Sequence, residues 1–541
     1  MEFWSRRHFL RSGLTLLAAV PTGRALAASA MMRGMAGMSG MGDMGAMPAK
    51  AAPFARPLPI PPLYAGTLAK DGVREYRLQM GFGSAELQPG IQTPTWGYNG
   101  NYLGPALVIP RGEPLRLWVH NALNQSTTTH WHGAHVPGDM DGGPQSLIAP
   151  GATRFYQYRI EQDEATLWYH PHPDGRTGPH VYGGLAGLYL IQDGTDRNLG
   201  LPHHWGVDDI PIIVQDRLFD SAGRLVYMPQ AMDVMGMKGN RFLVNGCESP
   251  VLRAPAQWLR LRLLNASNSR IYNFAFSDDR HFYQIATDAS YLESPVTMRR
   301  LLLGPAQRAE ILVDLRSNEG QRLWLRSDSA AVVPGLSRRP MDSDHYDRSV
   351  FDLVEIRVER GQGQGGRLPD RLLAAPDLPT HGPEHQFSLQ GMGEGQQMMA
   401  DMRRVRAAFQ HVAHSGPGGM SLGIGKVPVF SINHQFMDMQ RINLRIPLGS
   451  TQVWMVHNEA EMAHTFHVHG TSFWIQGRNG HPATSSEHGW KDTLLIRPGE
   501  QIQIAMSFHH PATDAYPYMY HCHMLEHEDN GMMGQFTVLP A

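Results

Sequence analysis

Residues 521–532 read His-Cys-His-Met-Leu-Glu-His-Glu-Asp-Asn-Gly-Met, and the donor types in this stretch suit a transition metal. A thiolate from Cys522, an imidazole from His527 and a thioether from Met532 match a mononuclear copper with one strong sulfur bond and a weak axial sulfur. Such a site transfers electrons, and it needs one more histidine. A lone Cys beside a His is more often a buried thiol with an ordinary neighbour. A thiolate, a thioether and several imidazoles in one window set this stretch apart. If residues 518–523 form a strand, alternate side chains face opposite ways, so Cys522 points to one side and His521 and His523 to the other. The peptide then links one centre to another.

Three further stretches supply imidazoles: His130-Trp131-His132-Gly133, Trp168-Tyr169-His170-Pro171-His172 and His464-Thr465-Phe466-His467-Val468-His469-Gly470. In a strand His467 and His469 share a face and His464 takes the other, the same division that separates His521 and His523 from Cys522. One side therefore collects His464, Cys522, His527 and Met532, a complete blue-copper set. The other collects four His-x-His pairs, eight imidazoles in all. Eight exceed what one four- or five-coordinate ion accepts, which excludes a single zinc and calls for a cluster of two to three metals. One such pair alone would be weak evidence, since satisfied histidines are common in ordinary strands. Four pairs beside the Cys522 window are strong evidence, and they place the cluster where the early and late parts of the chain meet.

The elements that must hold these donors are short alternating strands broken by Gly and Pro, such as Leu115-Arg116-Leu117-Trp118-Val119, Leu259-Arg260-Leu261-Arg262-Leu263 and Gln452-Val453-Trp454-Met455-Val456. Strong helical periodicity is scarce. The same strand-and-turn grammar recurs in three blocks, which predicts an all-β chain of three Greek-key β-sandwich domains at 58–200, 201–360 and 385–541, with a Gly/Gln- and Pro-rich linker at 361–384. A length of 541 residues with 42% hydrophobic and 18% charged suits about that many cores.

A formal net charge of -2 gives no electrostatic case for nucleic acid, and that class is discarded. Only two cysteines occur; with Cys522 on a metal there is no disulfide, and Cys247 reads as a small buried residue. Residues 1–27 read as an export signal, with Ser5-Arg6-Arg7-His8-Phe9-Leu10 before an apolar run and Ala25-Leu26-Ala27 before a cut. Its paired arginines resemble a twin-arginine signal, which implies a bacterial periplasm. The apolar run is shorter than the roughly 20 residues a membrane span needs, and no later stretch qualifies. Residues 28–57 form a leader expected to be disordered, in which Met32, Met35, Met38, Met41, Met44 and Met47 recur every third residue. Thioethers prefer Cu(I), so this leader reads as a low-affinity cuprous trap, with a solvated low-complexity spacer as the competing reading.

Through these motifs the sequence resembles the multicopper oxidases from about residue 58 to the end, and among them the bacterial periplasmic copper efflux oxidases. Trp96-Gly97-Tyr98-Asn99-Gly100, Pro144-Gln145 and Glu526-His527-Glu528-Asp529 add to the match. The resemblance implies three cupredoxin-like domains and four copper ions. His464, Cys522, His527 and Met532 would be the type 1 ligands and His130 with His467 the type 2 ligands. His132, His170, His172, His469, His521 and His523 would serve the type 3 pair.

The implied reaction couples one-electron oxidations to the four-electron reduction of O2 to water, with Asp141 and Glu528 as proton relays; Asp139 reads as an ordinary loop acid. Met392, Glu394, Glu461 and Met462 are the positions that would hold a cuprous substrate. The long Met/His-rich insertion that such enzymes often carry in the third domain is missing here; only Met392, Met398, Met399 and Met402 stand there. A laccase-type phenol oxidase and a non-catalytic periplasmic copper store are the alternatives, and a monomer is expected.

Overall fold

Residues 114–121 show how the chain makes its sheets. In the strand Pro114–Asn121, Leu115, Leu117 and Val119 are buried while Arg116, Trp118 and His120 are half-buried, the period-two pattern of a sheet with one face on a core. The computed structural model describes residues 52–339, 342–362, 365–377, 382–393 and 395–540. Residues 1–51, which include the expected export signal and most of the Met-rich leader, lie outside them, as does Glu394. The described residues fall in one compact unit.

Six sheets pack as three pairs. The first pair joins a five-stranded sheet, running from Leu63–Tyr64 to His130–His132, to one built on Arg74–Gln88, Pro114–Asn121 and Thr153–Arg159. Leu78, Leu107, Leu117, Trp131, Tyr156 and Leu167 fill the space between them. The second pair, a seven-stranded and a five-stranded sheet, uses strands between residues 209 and 362. The third sets a six-stranded sheet against the five strands Leu444–Pro447, Met533–Leu539, Tyr518–Cys522, His464–Val468 and Thr493–Ile496. Trp454, Phe466, Ile504, Tyr520 and Phe536 form the core of that pair. The fold is all-β, as the sequence implies.

Two features depart from the strand grammar. Gly395–Phe409 is a 15-residue helix whose buried residues are Asp401, Met402 and Val405, too thin an apolar stripe to stand out in the sequence. The strand Trp258–Asn265, whose Leu-Arg alternation suggests one wet face, is buried throughout. Its arginines instead join two sandwiches. Arg262 donates to Asp209 at 2.7 Å, to Glu310 at 3.0 Å and to Thr166 of the first sandwich at 2.7 Å. Each buried guanidinium is thus matched by carboxylates, which such burial requires.

The seam between the first and third sandwiches is also hydrogen-bonded. Tyr518 donates to the Val136 carbonyl at 2.5 Å, Gln145 to Gln535 at 2.8 Å, and the Gly138 amide to the Pro511 carbonyl at 2.9 Å.

Candidate metal centres

The strand His464–Val468 lies between Thr493–Ile496 and Tyr518–Cys522, with Phe466 opposite Cys522 and His467 opposite His521. Alternation then puts His464 and Cys522 on the face toward the third core and His467 and His521 on the face toward the first sandwich. There the strand His130–His132 pairs with Ala165–His170, and His130 stands opposite His170.

On the core side, the Cys522 Sγ is 3.4 Å from His464 Nδ1 and 3.7 Å from His527 Nδ1, and the two nitrogens are 3.1 Å apart. All three side chains are fully buried, and Met532 packs in the same buried cluster. His527 Nε2 donates to the Met235 carbonyl at 3.2 Å, which fixes the tautomer and leaves the Nδ1 lone pair free to ligate. The Met524 amide donates to the Cys522 sulfur at 3.4 Å. Burial pushes the Cys522 thiol up to about 12, so an ion must displace its proton to bind.

On the seam side the eight imidazoles sort into three groups. His170 Nε2 lies 3.3 Å from His132 Nδ1 and 3.4 Å from His523 Nε2. His521 Nε2 lies 3.1 Å from His172 Nε2 and 3.2 Å from His469 Nε2. The Nε2 atoms of His130 and His467 are buried without a hydrogen-bond partner, while their Nδ1 atoms donate to the carbonyls of Asp141 at 2.9 Å and Asp492 at 2.7 Å. Donors about 2.0 Å from one ion stand roughly 3.3 Å apart, so the spacings of His172, His469 and His521 fit a shared metal, and His170 stands at that spacing from both His132 and His523. Two orphaned ring nitrogens are what a third ion would satisfy. Burial holds His132, His170, His464, His467, His469 and His523 well below the usual imidazole range and brings His172 down to about 3 and His527 to about 4. Neutral imidazoles are the form that ligates.

Models of the multicopper oxidase family match residues 80–196, 211–361 and 415–541. The chain belongs to the multicopper oxidase family. Among its relatives are the multicopper oxidase mco of Staphylococcus haemolyticus, 32% identical over 86% of this chain and 89% of that one, and the cell division protein FtsP of Sodalis glossinidius, 33% identical over 99% and 98%. A solved neighbour is the laccase-like multicopper oxidase CueO of an Ochrobactrum species, which shows oxidase activity towards lignin model compounds and lignosulfonate. It is 35% identical, with a TM-score of 0.76 over 89% of this chain and 100% of that one. The Campylobacter jejuni multicopper oxidase, a metallo-oxidase, is 27% identical, with a TM-score of 0.74 over 90% and 96%. Membership makes copper the metal class and identifies the three sandwiches as cupredoxin-like.

Within this multicopper oxidase three carboxylates touch the imidazoles. Asp141 Oδ2 accepts from His469 Nδ1 at 2.8 Å and lies 3.4 Å from His130 Nδ1, while its Oδ1 is buried and without a partner. The short helix Gly138–Asp141 sets it there, and Gly142 (φ +84°) lets the chain turn against Thr129, where any Cβ would strike the Thr129 carbonyl. Burial opposes protonation of His130, but Asp141 outweighs it and raises the ring's pKa.

Glu528 lies 3.4 Å from His172 Nδ1 and 3.1 Å from His521 Nδ1. Burial resists its ionisation, yet these rings outweigh that and bring it down to about 2. The third carboxylate, Asp492, was not anticipated from sequence. Its Oδ1 accepts from His132 Nε2 at 3.0 Å, and Arg308 of the middle sandwich donates to it at 2.8 and 2.5 Å. Lys491-Asp492-Thr493 forms no recognisable motif, so only pairing across the fold reveals it.

A cavity of about 450 Å³ opens beside the sulfur-containing set, lined by Met235, Met392, Met462, Asp342, Glu459 and Glu461 among others. It brings together three of the four positions expected to hold a cuprous substrate; the fourth, Glu394, is outside the described residues. Glu461 is 3.5 Å from Arg338. Met235, Asp342 and Glu459 are additions that sequence gave no reason to single out. Among the described residues no helix is long and apolar enough to cross a membrane.

Proposed function

We propose that this protein is a periplasmic oxidase that takes single electrons from Cu(I) and delivers them to O2, in the balance 4 Cu(I) + O2 + 4 H⁺ → 4 Cu(II) + 2 H2O. The observation that carries this reading is the sorting of twelve donors into one sulfur-containing set and three imidazole groups, beside a methionine-lined cavity. In this reading His464, Cys522, His527 and Met532 hold one copper, His130 and His467 a second, and the two triples a third and fourth. Bound copper supplies the one-electron redox changes and the reduction of O2.

The residues do the rest. Met392, Met462 and Met235 offer thioethers and Glu459, Glu461 and Asp342 offer carboxylates, a mixture that receives Cu(I) and releases Cu(II) as a harder ion. Met462 is two residues from His464, so the substrate stands next to a ligand of the first acceptor. The backbone of Cys522 joins that acceptor to His521 and His523 by covalent bonds. Asp141, with one free buried oxygen, and Glu528, between two imidazoles, are carboxylates that would pass protons to the cluster, each taking one only in transit.

The arginine pair in residues 1–27 supports export by the twin-arginine route, and the three sandwiches would divide at 58–200, 201–360 and 385–541 with a linker at 361–384. A phenol-oxidising role is the second reading, favoured by the activity of the Ochrobactrum relative. The FtsP relatives raise a third, a non-enzymatic role in cell division. Oxygen uptake measured with Cu(I), with 2,6-dimethoxyphenol and with neither substrate separates them. The proposal expects kcat/KM for Cu(I) to exceed that for the phenol. The reverse order makes the protein a laccase, and no uptake with either leaves no oxidase.

A further inference from the structure

None of the twelve donors belongs to the middle sandwich, yet that sandwich forms part of the wall of the sulfur-containing site. The contact runs through Glu526, the residue before His527. Its side chain is fully buried and, among the described residues, forms no ion pair with a Lys, Arg or His. A carboxyl group in that position is costly unless hydrogen bonds replace its water. Three donors do so, all from the middle part of the chain. Tyr227 Oη and Asn268 Nδ2 donate to Oε1 at 2.9 and 2.8 Å, and the Met237 amide donates to Oε2 at 3.0 Å.

These bonds close a ring around the ligand. Met237 is held on its other side as well, since Ser269 Oγ donates to its carbonyl at 2.8 Å. Two residues earlier, Met235 ends the 3-10 turn Ala231–Met235, and its carbonyl accepts from His527 Nε2. The same Met235 lines the methionine cavity. Glu526 and His527 are thus tied to one short segment at two points, Met237 N–H and Met235 C=O, and the segment faces the entering substrate.

The partner that takes the second N–H of a metal-bound imidazole sets the ring's orientation and basicity, and changing such partners alters metal affinity about 10–100-fold. The geometry points to Glu526 as a positioning residue through which the middle sandwich fixes Met235 and so orients His527 in the sulfur-containing copper site. This rests on the reading of His464, Cys522 and His527 as copper ligands. Glutamine cannot replace the carboxylate, because its amide nitrogen would face the Met237 N–H, donor against donor, while its oxygen could still serve Tyr227 and Asn268.

The test compares copper-loaded wild type with Glu526→Gln and Tyr227→Phe by copper content, blue absorption, reduction potential of the blue site and thermal unfolding. Glu526→Gln is expected to keep its copper but shift the reduction equilibrium of the blue site about tenfold, with a smaller shift in the same direction for Tyr227→Phe. A role in stability alone would lower the unfolding temperature and leave the potential in place. A blue, copper-replete Glu526→Gln protein with wild-type potential overturns the proposal. If Glu526→Gln does not fold, Tyr227→Phe decides: a wild-type potential there overturns it. A copper-loaded wild type without blue colour overturns the ligand reading itself, and this inference with it.

Discussion

Cys522 contributes its sulfur to one donor set and, through the flanking residues His521 and His523, its backbone to the others. Replacing it with Ser removes the soft anionic donor while keeping the chain path. Cys522→Ser is therefore expected to lose the blue absorption, oxidase activity and about one copper per chain, with the imidazole-held copper retained; metal analysis and the visible spectrum check this. Loss of all copper would instead make Cys522 a structural keystone. Asp141→Asn keeps an oxygen for His469 but removes the carboxylate that would relay protons. It is expected to slow reoxidation by O2 about 10²-fold or more, with bleaching of the blue colour by substrate unchanged. Stopped-flow absorption follows the two phases separately, and equal slowing of both would point to a general defect.

The elements around the site are held by buried charge as much as by apolar packing. Arg308, on the strand Arg308–Asp314, donates to both Asp492 oxygens, and Asp492 in turn holds His132 by its side chain and His467 by its carbonyl. Arg308→Met would leave a buried carboxylate without its counter-ion, a loss of about 3–5 kcal/mol. The variant is expected to unfold at lower temperature and to bind less imidazole-held copper while its blue site persists. Unchanged copper content would remove the middle sandwich from any part in that cluster.

The turn Ala231–Met235 carries a second test. Asp233 accepts from the Gln230 amide at 2.8 Å, and burial raises its pKa from 3.8 to about 6. A raised acid favours the folded state in its protonated form, so this contribution is complete below about pH 3.8 and is lost as pH climbs to about 6. Between about pH 4 and 6.5 the wild type should lose more stability than Asp233→Asn, read from urea midpoints. Parallel profiles would contradict the partial burial of Asp233 as the cause of its raised pKa.

For the molecule as a whole, the donor groups expect about four coppers per chain, and metal analysis of the purified protein tests that number directly. Deleting residues 31–47 is expected to leave the fold, the blue colour and phenol oxidation intact while lowering efficiency at low Cu(I). A tethered run of thioethers raises the local concentration of captured ions. An unchanged Cu(I) concentration dependence would reduce the leader to a spacer.

The gathering of candidate donors was legible in the linear chain because its pattern is local. The His-x-His pairs and the Cys522 window need only strand alternation to divide donors between two faces, and period-two patterning is a property of neighbours in sequence. The all-β class was legible for the same reason. The helix Gly395–Phe409 was not, since its buried stripe is three residues wide. Nor were Asp492, Met235 and Glu526, whose partners lie tens to hundreds of residues away: Arg308 reaches Asp492 across 184 positions, and Tyr227 reaches Glu526 across 299. A buried carboxylate and an exposed one look alike in a sequence. Desolvation makes the difference between them, and it acts only after distant strands have closed over the group and brought it a partner.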